Sequence, residues 1–235
     1  PIRYLVSDVS PKEVTQAVSD LRRTITNSRL RNTTDYLASA QQLYQWTIAP
    51  LKADLDAAEI DTLLFSLPAG LRSIPLAALH DGEHFLVENY SLSLIPSMSL
   101  VDTRYRSLEN TEVLGMGASE FTQLTPLPAV PIELSAITQN IWQGKAFLNG
   151  DFTRQNLISQ RQEYPYAIIH LATHGEFQSG DPSRSYIQLW DEKLSLDRLR
   201  ELRWNDPPVE LLVLSACQTA VGDADAELGF AGLAV

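Results

Sequence analysis

Short apolar runs alternate with helix-like segments from about residue 61 onward, and this alternation is the strongest constraint on the fold. The two most apolar runs span residues 167–171 and 211–214, and each has the length of a buried strand. Helical periodicity covers residues 130–142 and 151–160, between other strand-like runs. Strands that alternate with helices predict an α/β fold with one mostly parallel central sheet and helices on both faces.

Two further helices are predicted ahead of this region. Residues 10–13 read Ser-Pro-Lys-Glu, a capping box with proline at the first helical position, and a second apolar stripe runs from Tyr36 to Thr47. We expect this pair to form a helical hairpin. The predicted organisation is an N-terminal helical adapter at residues 1–60 and an α/β domain at residues 61–235.

Two shorter features are predicted as turns. Residues 85–87 and 92–95 are apolar and flank a polar link, which predicts a β-hairpin. Residues 112–118 are predicted as a strand, and the last four of them read Gly-Met-Gly-Ala. They lack the third glycine and the lysine of a phosphate-binding loop, so we predict a turn there.

Charge and cysteine content exclude several classes of protein. The chain carries 18 Lys and Arg against 29 Asp and Glu, a formal net charge of −11, whereas nucleic acids and anionic membranes bind clustered positive charge. The single cysteine, Cys217, excludes a disulfide scaffold. No apolar run approaches the roughly 18 residues of a membrane-spanning helix. We expect a cytoplasmic protein that binds neither nucleic acid nor membrane.

Two strands of the predicted sheet lead into residues that carry chemistry. The 167–171 strand is followed by His174 and Gly175, and the 211–214 strand by Cys217, 43 positions after the histidine. Catalytic groups collect beyond the C-terminal ends of parallel strands. A nearby imidazole can deprotonate a thiol, and the backbone N–H groups of Gly175 and Cys217 can hold an oxyanion. The pattern therefore predicts a nucleophilic site built on His174 and Cys217.

Other interpretations of these residues stay open. A lone cysteine is commonly a buried, inert side chain, and a redox-sensing thiol would lack a resolving cysteine in this chain. His170 and His174 are four positions apart, as in some zinc motifs, but a strand holds such positions about 13 Å apart. We therefore predict no metal and expect His170 in the core or behind the site.

Three segments around the site follow a specific pattern. They read Ile-His-Leu-Ala-Thr-His-Gly-Glu-Phe at residues 169–177, Ser-Tyr-Ile-Gln-Leu at 185–189 and Leu-Val-Leu-Ser-Ala-Cys-Gln-Thr-Ala at 212–220. Together with residues 71–82 and 90–97, they closely resemble the CHAT domain family. That family comprises caspase- and separase-like domains that are often joined to tetratricopeptide repeats.

The resemblance implies a caspase-like fold and a cysteine endopeptidase that cleaves a protein substrate without metal or cofactor. His174 matches the family's catalytic histidine, Cys217 its nucleophile and Gly175 the glycine on the oxyanion side. The sequence identifies no third catalytic side chain, so we expect a backbone carbonyl to orient the histidine. The alternative is a proteolytically inactive CHAT scaffold that binds signalling partners.

The resemblance also implies what surrounds the domain. Family members continue beyond a Gly-Leu-Ala segment like that at residues 232–234 with a further strand and helices. We expect the chain to be a piece of a longer protein whose remaining C-terminal segment helps to build the substrate cleft. Control of activity is expected from a tetratricopeptide-repeat region, from a partner or from proteolytic processing.

Overall fold

The fold is that of a computed structural model of the chain. The structure describes residues 8–30, 32–68, 71–95, 97–100, 106–176 and 183–216, together with residues 2, 4 and 6. Contacts between residues divide the chain into two compact units, residues 1–101 and residues 102–235. The boundary between adapter and domain at residue 60 stays a prediction.

The first unit opens with three helices, α1 (Pro11–Thr26), α2 (Tyr36–Thr47) and α3 (Lys52–Ala57). The predicted capping box is confirmed, because the Glu13 N–H donates to the Ser10 hydroxyl at 3.3 Å and the Ser10 N–H donates to the Glu13 carboxylate at 2.9 Å. Helices α1 and α2 contact each other. Their apolar faces contribute to one buried core (Ala17, Val18, Leu21, Ala40, Leu43, Tyr44).

The first unit continues with strand β1 (Thr62–Phe65), the short helix α4 (Leu86–Asn89) and strand β2 (Ser91–Leu94). β1 and β2 pair in parallel along their whole length. The hairpin predicted at residues 85–95 is therefore wrong. Its first arm is α4, where the Phe85 N–H donates to the Glu88 carboxylate at 2.6 Å. A helix in place of the first arm leaves no antiparallel strand to pair with β2, which pairs in parallel with β1 instead.

The second unit is built on a four-stranded parallel sheet in the order β4-β3-β5-β9. Its elements, in chain order, are β3 (Val113–Gly117), α5 (Val130–Ala136), β4 (Gly144–Leu148), α6 (Arg154–Glu163), β5 (Ile168–Ala172), β6 (Gly175–Glu176), β7 (Tyr186–Gln188), β8 (Lys193–Ser195) and β9 (Leu211–Ser215). The predicted mixed α/β class with a parallel sheet is confirmed.

Side chains of the parallel sheet alternate between its two faces. One face carries a core to which β3, β5 and α6 all contribute (Leu114, Met116, Leu157, Ile169, Leu171). On the other face, α5 lies very close to β3: a Cβ on Gly117 would come within 2.8 Å of the Val130 side chain and 2.5 Å of the Ala172 carbonyl oxygen. The strand predicted at residues 112–118 is confirmed as β3, whereas the turn predicted at residues 115–118 is wrong for Gly115 to Gly117, which end that strand against a helix.

Strands β6, β7 and β8 form a small antiparallel sheet of their own. The prediction of a single sheet is wrong, because the described strands form three, including the β1–β2 pair. The segment at Leu196–Leu202 is a 3-10 helix, and α5 continues as a π-helical turn at Ile137–Ile141. Across the described ranges, no helix is both long and apolar enough to cross a membrane.

Candidate active site

The two strands that lead to the predicted site residues lie side by side. β5 and β9 pair in parallel, with Ala172 opposite Ser215, and the Thr173 N–H donates to the Ser215 carbonyl at 3.1 Å. Both strands therefore end at the same edge of the sheet, where α/β proteins commonly bind their substrates. Cys217 follows Ser215 by two positions in the sequence and lies outside the described residues. Its position relative to His174 stays a prediction.

His174 is held in one orientation by a backbone carbonyl. Its ring nitrogen Nε2 lies 2.7 Å from the carbonyl oxygen of Thr125. A carbonyl oxygen only accepts hydrogen bonds, so Nε2 carries the proton, and in a neutral imidazole the second nitrogen, Nδ1, is then the acceptor. The ring is half-buried. This arrangement gives His174 the tautomer that a general base needs, with Nδ1 as the proton acceptor.

An aromatic ring restricts His174 from the side. The ring centroids of Phe121 and His174 are 4.7 Å apart with an interplanar angle of 60°, an edge-to-face contact. Phe121 and Thr125 belong to the same loop between β3 and α5. One loop therefore supplies both the carbonyl and the ring that fix the imidazole.

The loop that holds His174 is itself anchored at its start. The N–H of Leu127 donates to the Ser119 carbonyl at 2.9 Å, which closes the loop on itself. The side-chain oxygen of Asn149 accepts from the Ser119 N–H at 2.8 Å, from the Ser119 hydroxyl at 3.2 Å and from the Glu120 N–H at 3.3 Å. Asn149 has a φ of 52°, a left-handed conformation that asparagine tolerates better than most residues. Its amide thus pins the loop to the turn after β4.

Gly175 begins β6, immediately after the histidine. It lies opposite Ile187 of β7 in an antiparallel pair, and the Gln188 N–H donates to the His174 carbonyl at 2.9 Å. That bond makes Gly175 and Ile187 a non-hydrogen-bonded pair of the ladder. Within the described part of the chain, the ladder therefore leaves the Gly175 N–H unused. The predicted oxyanion role of this N–H stays a prediction.

His170 lies in the sheet rather than in the site. It is 6% exposed, and its Nε2 is 2.8 Å from the Glu133 carboxylate of α5. This contact links β5 to the helix that covers it. Among the described residues, no group of three or more His, Cys, Asp or Glu side chains is arranged to hold a metal ion.

Sequence reasoning missed the two residues that position His174. Thr125 acts through its backbone carbonyl and Asn149 through an amide 30 positions from Ser119, so neither belongs to a recognisable catalytic motif. Pro126 was the one available signal, because the residue before a proline is restricted to extended conformations. A Thr-Pro pair in a loop therefore limits the directions that the threonine carbonyl can take.

Comparison with known proteins identifies the family to which the chain belongs. The sequence profile of the CHAT domain family matches residues 37–235, a range that includes both His174 and Cys217. The comparison with curated proteins gives no match. The family match covers well over half of the chain and agrees with the parallel α/β sheet of the second unit. The chain therefore belongs to the CHAT domain family, which is a caspase-like family.

Proposed function

We propose that this protein is a cysteine endopeptidase of the caspase and separase type, with Cys217 as the nucleophile and His174 as the general base. The observation that carries the proposal is the hydrogen bond between His174 Nε2 and the Thr125 carbonyl. It leaves Nδ1 as the proton acceptor at the edge of the sheet where β5 and β9 end together. It also supplies the backbone carbonyl that takes the place of a third catalytic side chain.

The proposed reaction begins with proton transfer. The Cys217 thiol gives its proton to His174 Nδ1, and the thiolate attacks the carbonyl carbon of the scissile peptide bond, forming a C–S bond. The carbonyl oxygen becomes an oxyanion, held by the N–H groups of Gly175 and Cys217. The imidazolium then protonates the leaving amine nitrogen as the C–N bond breaks, which leaves a thioester. A water molecule gives a proton to Nδ1 and hydrolyses the thioester, and the thiolate is restored.

The position of His174 supports this assignment of roles. An imidazolium formed during the reaction keeps its Nε2–H pointed at the Thr125 carbonyl, which stabilises the positive charge through a charge-assisted hydrogen bond. Ser215 is hydrogen-bonded to Thr173, and Cys217 is two positions further along the chain. A protein substrate, cytoplasmic location and control by a tetratricopeptide-repeat region or a further C-terminal segment are parts of the same proposal.

Labelling with peptidyl acyloxymethyl ketones tests the proposal, because the chain has a single cysteine and intact mass then reports on Cys217 alone. The wild type and the control His84→Ala, which removes an exposed histidine of the first unit, are expected to label. Cys217→Ala removes the nucleophile and labelling with it. His174→Ala is expected to slow labelling by about 100-fold.

The rate of alkylation of wild type by iodoacetamide across pH gives a second readout. An activated thiol reacts with an apparent pKa below the ordinary value of about 8.5, and His174→Ala moves the profile upward. Equal labelling of wild type and His174→Ala contradicts the assigned base. A folded wild type that no ketone labels, alone or joined to the rest of its parent protein, supports the inactive scaffold instead.

A further inference from the structure

A cleft of about 390 Å³ opens beside His174 and has no part in the proposed chemistry. One wall is the loop of residues 120–124, and the other is the β7–β8 hairpin with Gln188, Trp190 and Lys193. Pockets of roughly 300–1,000 Å³ are typical of sites that bind small groups. The cleft is therefore large enough for one large amino-acid side chain.

Both walls are hydrogen-bonded to the strand end that presents the catalytic histidine. On one side, the Thr125 carbonyl accepts from His174 Nε2 at 2.7 Å. On the other, the His174 carbonyl accepts from the Gln188 N–H at 2.9 Å, and the Thr173 hydroxyl donates to the Gln188 carbonyl at 2.6 Å. The cleft between the two walls therefore adjoins the strand end that presents His174.

The turn after β4 fixes the two walls relative to each other. Asn149 accepts from the backbone at Ser119 and Glu120 on the loop side, and the Phe152 carbonyl accepts from the Trp190 N–H at 2.9 Å on the hairpin side. Because a single turn holds both walls, the cleft is formed before any ligand arrives. A preformed cleft does not spend binding free energy on ordering its walls.

The lining mixes polar side chains (Thr122, Gln123, Gln188) with apolar surface and favours an uncharged occupant. Trp190 is 42% exposed, and with Phe121 and Leu124 it gives the cleft aromatic and aliphatic surface. The two charged residues of the lining have opposite signs, Glu120 and Lys193. The Lys193 ammonium lies 4.0 Å from the centre of the Tyr186 ring, so its charge is already engaged in a cation–π contact.

We propose that this cleft is the subsite for a large uncharged substrate side chain, aromatic by preference, close to the scissile bond. The inference rests on the proposed endopeptidase function and adds its substrate class. Trp190 is the specificity-determining residue, because it supplies the most exposed aromatic surface of the cleft. Tryptophan is enriched among the residues that contribute most of the binding free energy at interfaces, and its ring packs favourably against other aromatic rings.

Cleavage of a peptide library tests the subsite in the full chain. Wild type is expected to prefer peptides with Phe, Tyr or Trp at one fixed position near the cut. Trp190→Ala is expected to lower kcat/KM for those peptides by about ten-fold or more while glycine peptides change little, and Trp190→Phe is expected to keep most of the preference. The control is Tyr164→Ala, an aromatic side chain of similar exposure, 40%, that does not line the cleft. No selectivity, or equal losses in Trp190→Ala and Tyr164→Ala, overturns the proposal.

A binding measurement separates failure of the subsite from failure of the enzyme. Saturation-transfer NMR on the Cys217→Ala chain uses N-acetyl-phenylalanine amide, with the arginine and glutamate amides for comparison. The phenylalanine probe is expected to give the strongest signal, and adding Trp190→Ala is expected to abolish it. A signal without any cleavage by wild type removes the proposed catalysis and retains the cleft. Equal signals for all three probes, or a signal that Trp190→Ala does not change, overturn the cleft.

Discussion

The carbonyl oxygen of Thr125 and Nε2 of His174 are 2.7 Å apart, joined across 49 positions of sequence. A backbone carbonyl cannot be protonated near neutral pH and cannot change rotamer, unlike a carboxylate in the same place. It sets the histidine tautomer without adding a charge to the site. The orientation of the His174 ring then depends on how firmly the loop around Thr125 is held, and two predictions address that loop.

The first prediction concerns Pro126, which restricts the backbone of Thr125 to extended conformations. Pro126→Gly removes that restriction and lets the Thr125 carbonyl turn away from His174. We expect kcat to fall by about ten-fold with a smaller change in KM, because orientation of the base is lost and substrate contacts are not. Steady-state kinetics on a cleaved peptide measures both constants.

Pro128→Gly is the matched control for this loop. Pro128 follows Leu127, whose N–H closes the loop onto Ser119. Pro128→Gly raises the conformational entropy of the unfolded chain as Pro126→Gly does, but it does not change the restriction on the Thr125 backbone. Equal losses of kcat in Pro126→Gly and Pro128→Gly would mean that general loosening of the loop, and not the direction of the carbonyl, sets the rate.

The second prediction concerns the amide of Asn149. Its φ of 52° would strain an alanine. Asn149→Gly removes the side chain without straining the backbone, because glycine adopts positive φ readily. Loss of the shared acceptor is expected to raise amide hydrogen exchange at Ser119 and Glu120 by about ten-fold or more. Asn149→Asp retains an acceptor oxygen and is expected to restore protection. Unchanged exchange in Asn149→Gly would show that Leu127 alone holds the loop.

The third prediction concerns a buried guanidinium far from the site. Arg161 is 4% exposed and donates to three carbonyls, those of Leu202, Arg203 and Pro207. Arg161→Met keeps the apolar stem and leaves those carbonyls without their donor. The free energy of unfolding of the second unit is expected to fall by about 3 kcal/mol, measured by urea denaturation together with hydrogen exchange of residues 200–209.

Arg198→Met is the comparison for that substitution. Arg198 contacts Glu192 at 3.1 Å and Glu201 at 3.3 Å near the surface, where ion pairs contribute little because solvent screens them. We expect its urea midpoint to stay close to that of wild type. A loss as large as that of Arg161→Met would mean that charge, rather than the carbonyl contacts, stabilises this region.

The fourth prediction is a pH dependence in the first unit. The N–H groups of His84 and Glu83 donate to the Asp81 carboxylate, each at 2.7 Å, and these bonds lower the pKa of Asp81. A carboxyl with a lowered folded-state pKa stabilises the fold above its unfolded value of about 3.9 and loses that effect as pH falls through the folded value.

Asp81→Asn removes the ionised form of this side chain. It is expected to be less stable than wild type by about 1 kcal/mol at pH 7, with the difference shrinking below pH of about 4. Thermal unfolding of both proteins across this pH range measures it. A difference that stays constant down to pH of about 2 would assign the effect to the shape of the amide and not to the charge.

The sequence predicted those elements that are specified by residues close together in the chain. The capping box at Ser10 and Glu13 marks the start of α1, and the apolar runs mark β5 and β9 within one residue at each end. The failures lie where a short apolar run has no periodicity of its own. Residues 86–89 are equally compatible with a strand and a helical turn, and the carboxylate of Glu88 decides for the helix.

The candidate site divides in the same way. His174 and Gly175 could be singled out from the sequence, because an imidazole can act as a base and a glycine after it leaves an accessible backbone N–H. The Thr125 carbonyl could not, since every residue has one, and only the fold decides which carbonyl meets Nε2. The turn predicted at Gly115 and Gly117 was wrong for a related reason. These strand glycines allow the close approach of α5, and the local sequence does not reveal that distance.

The parallel register of the central sheet has a consequence for how the protein folds. Its neighbouring strands pair residues that are 31, 55 and 43 positions apart, and no pair in that sheet is a local hairpin. Each pairing must close a long loop before it gains any stability, so folding of this unit is expected to be slow, with apolar strands such as β9 exposed meanwhile. The His174–Thr125 contact joins the segments that follow β3 and β5, so any activity it supports is expected to wait for the longest of these closures.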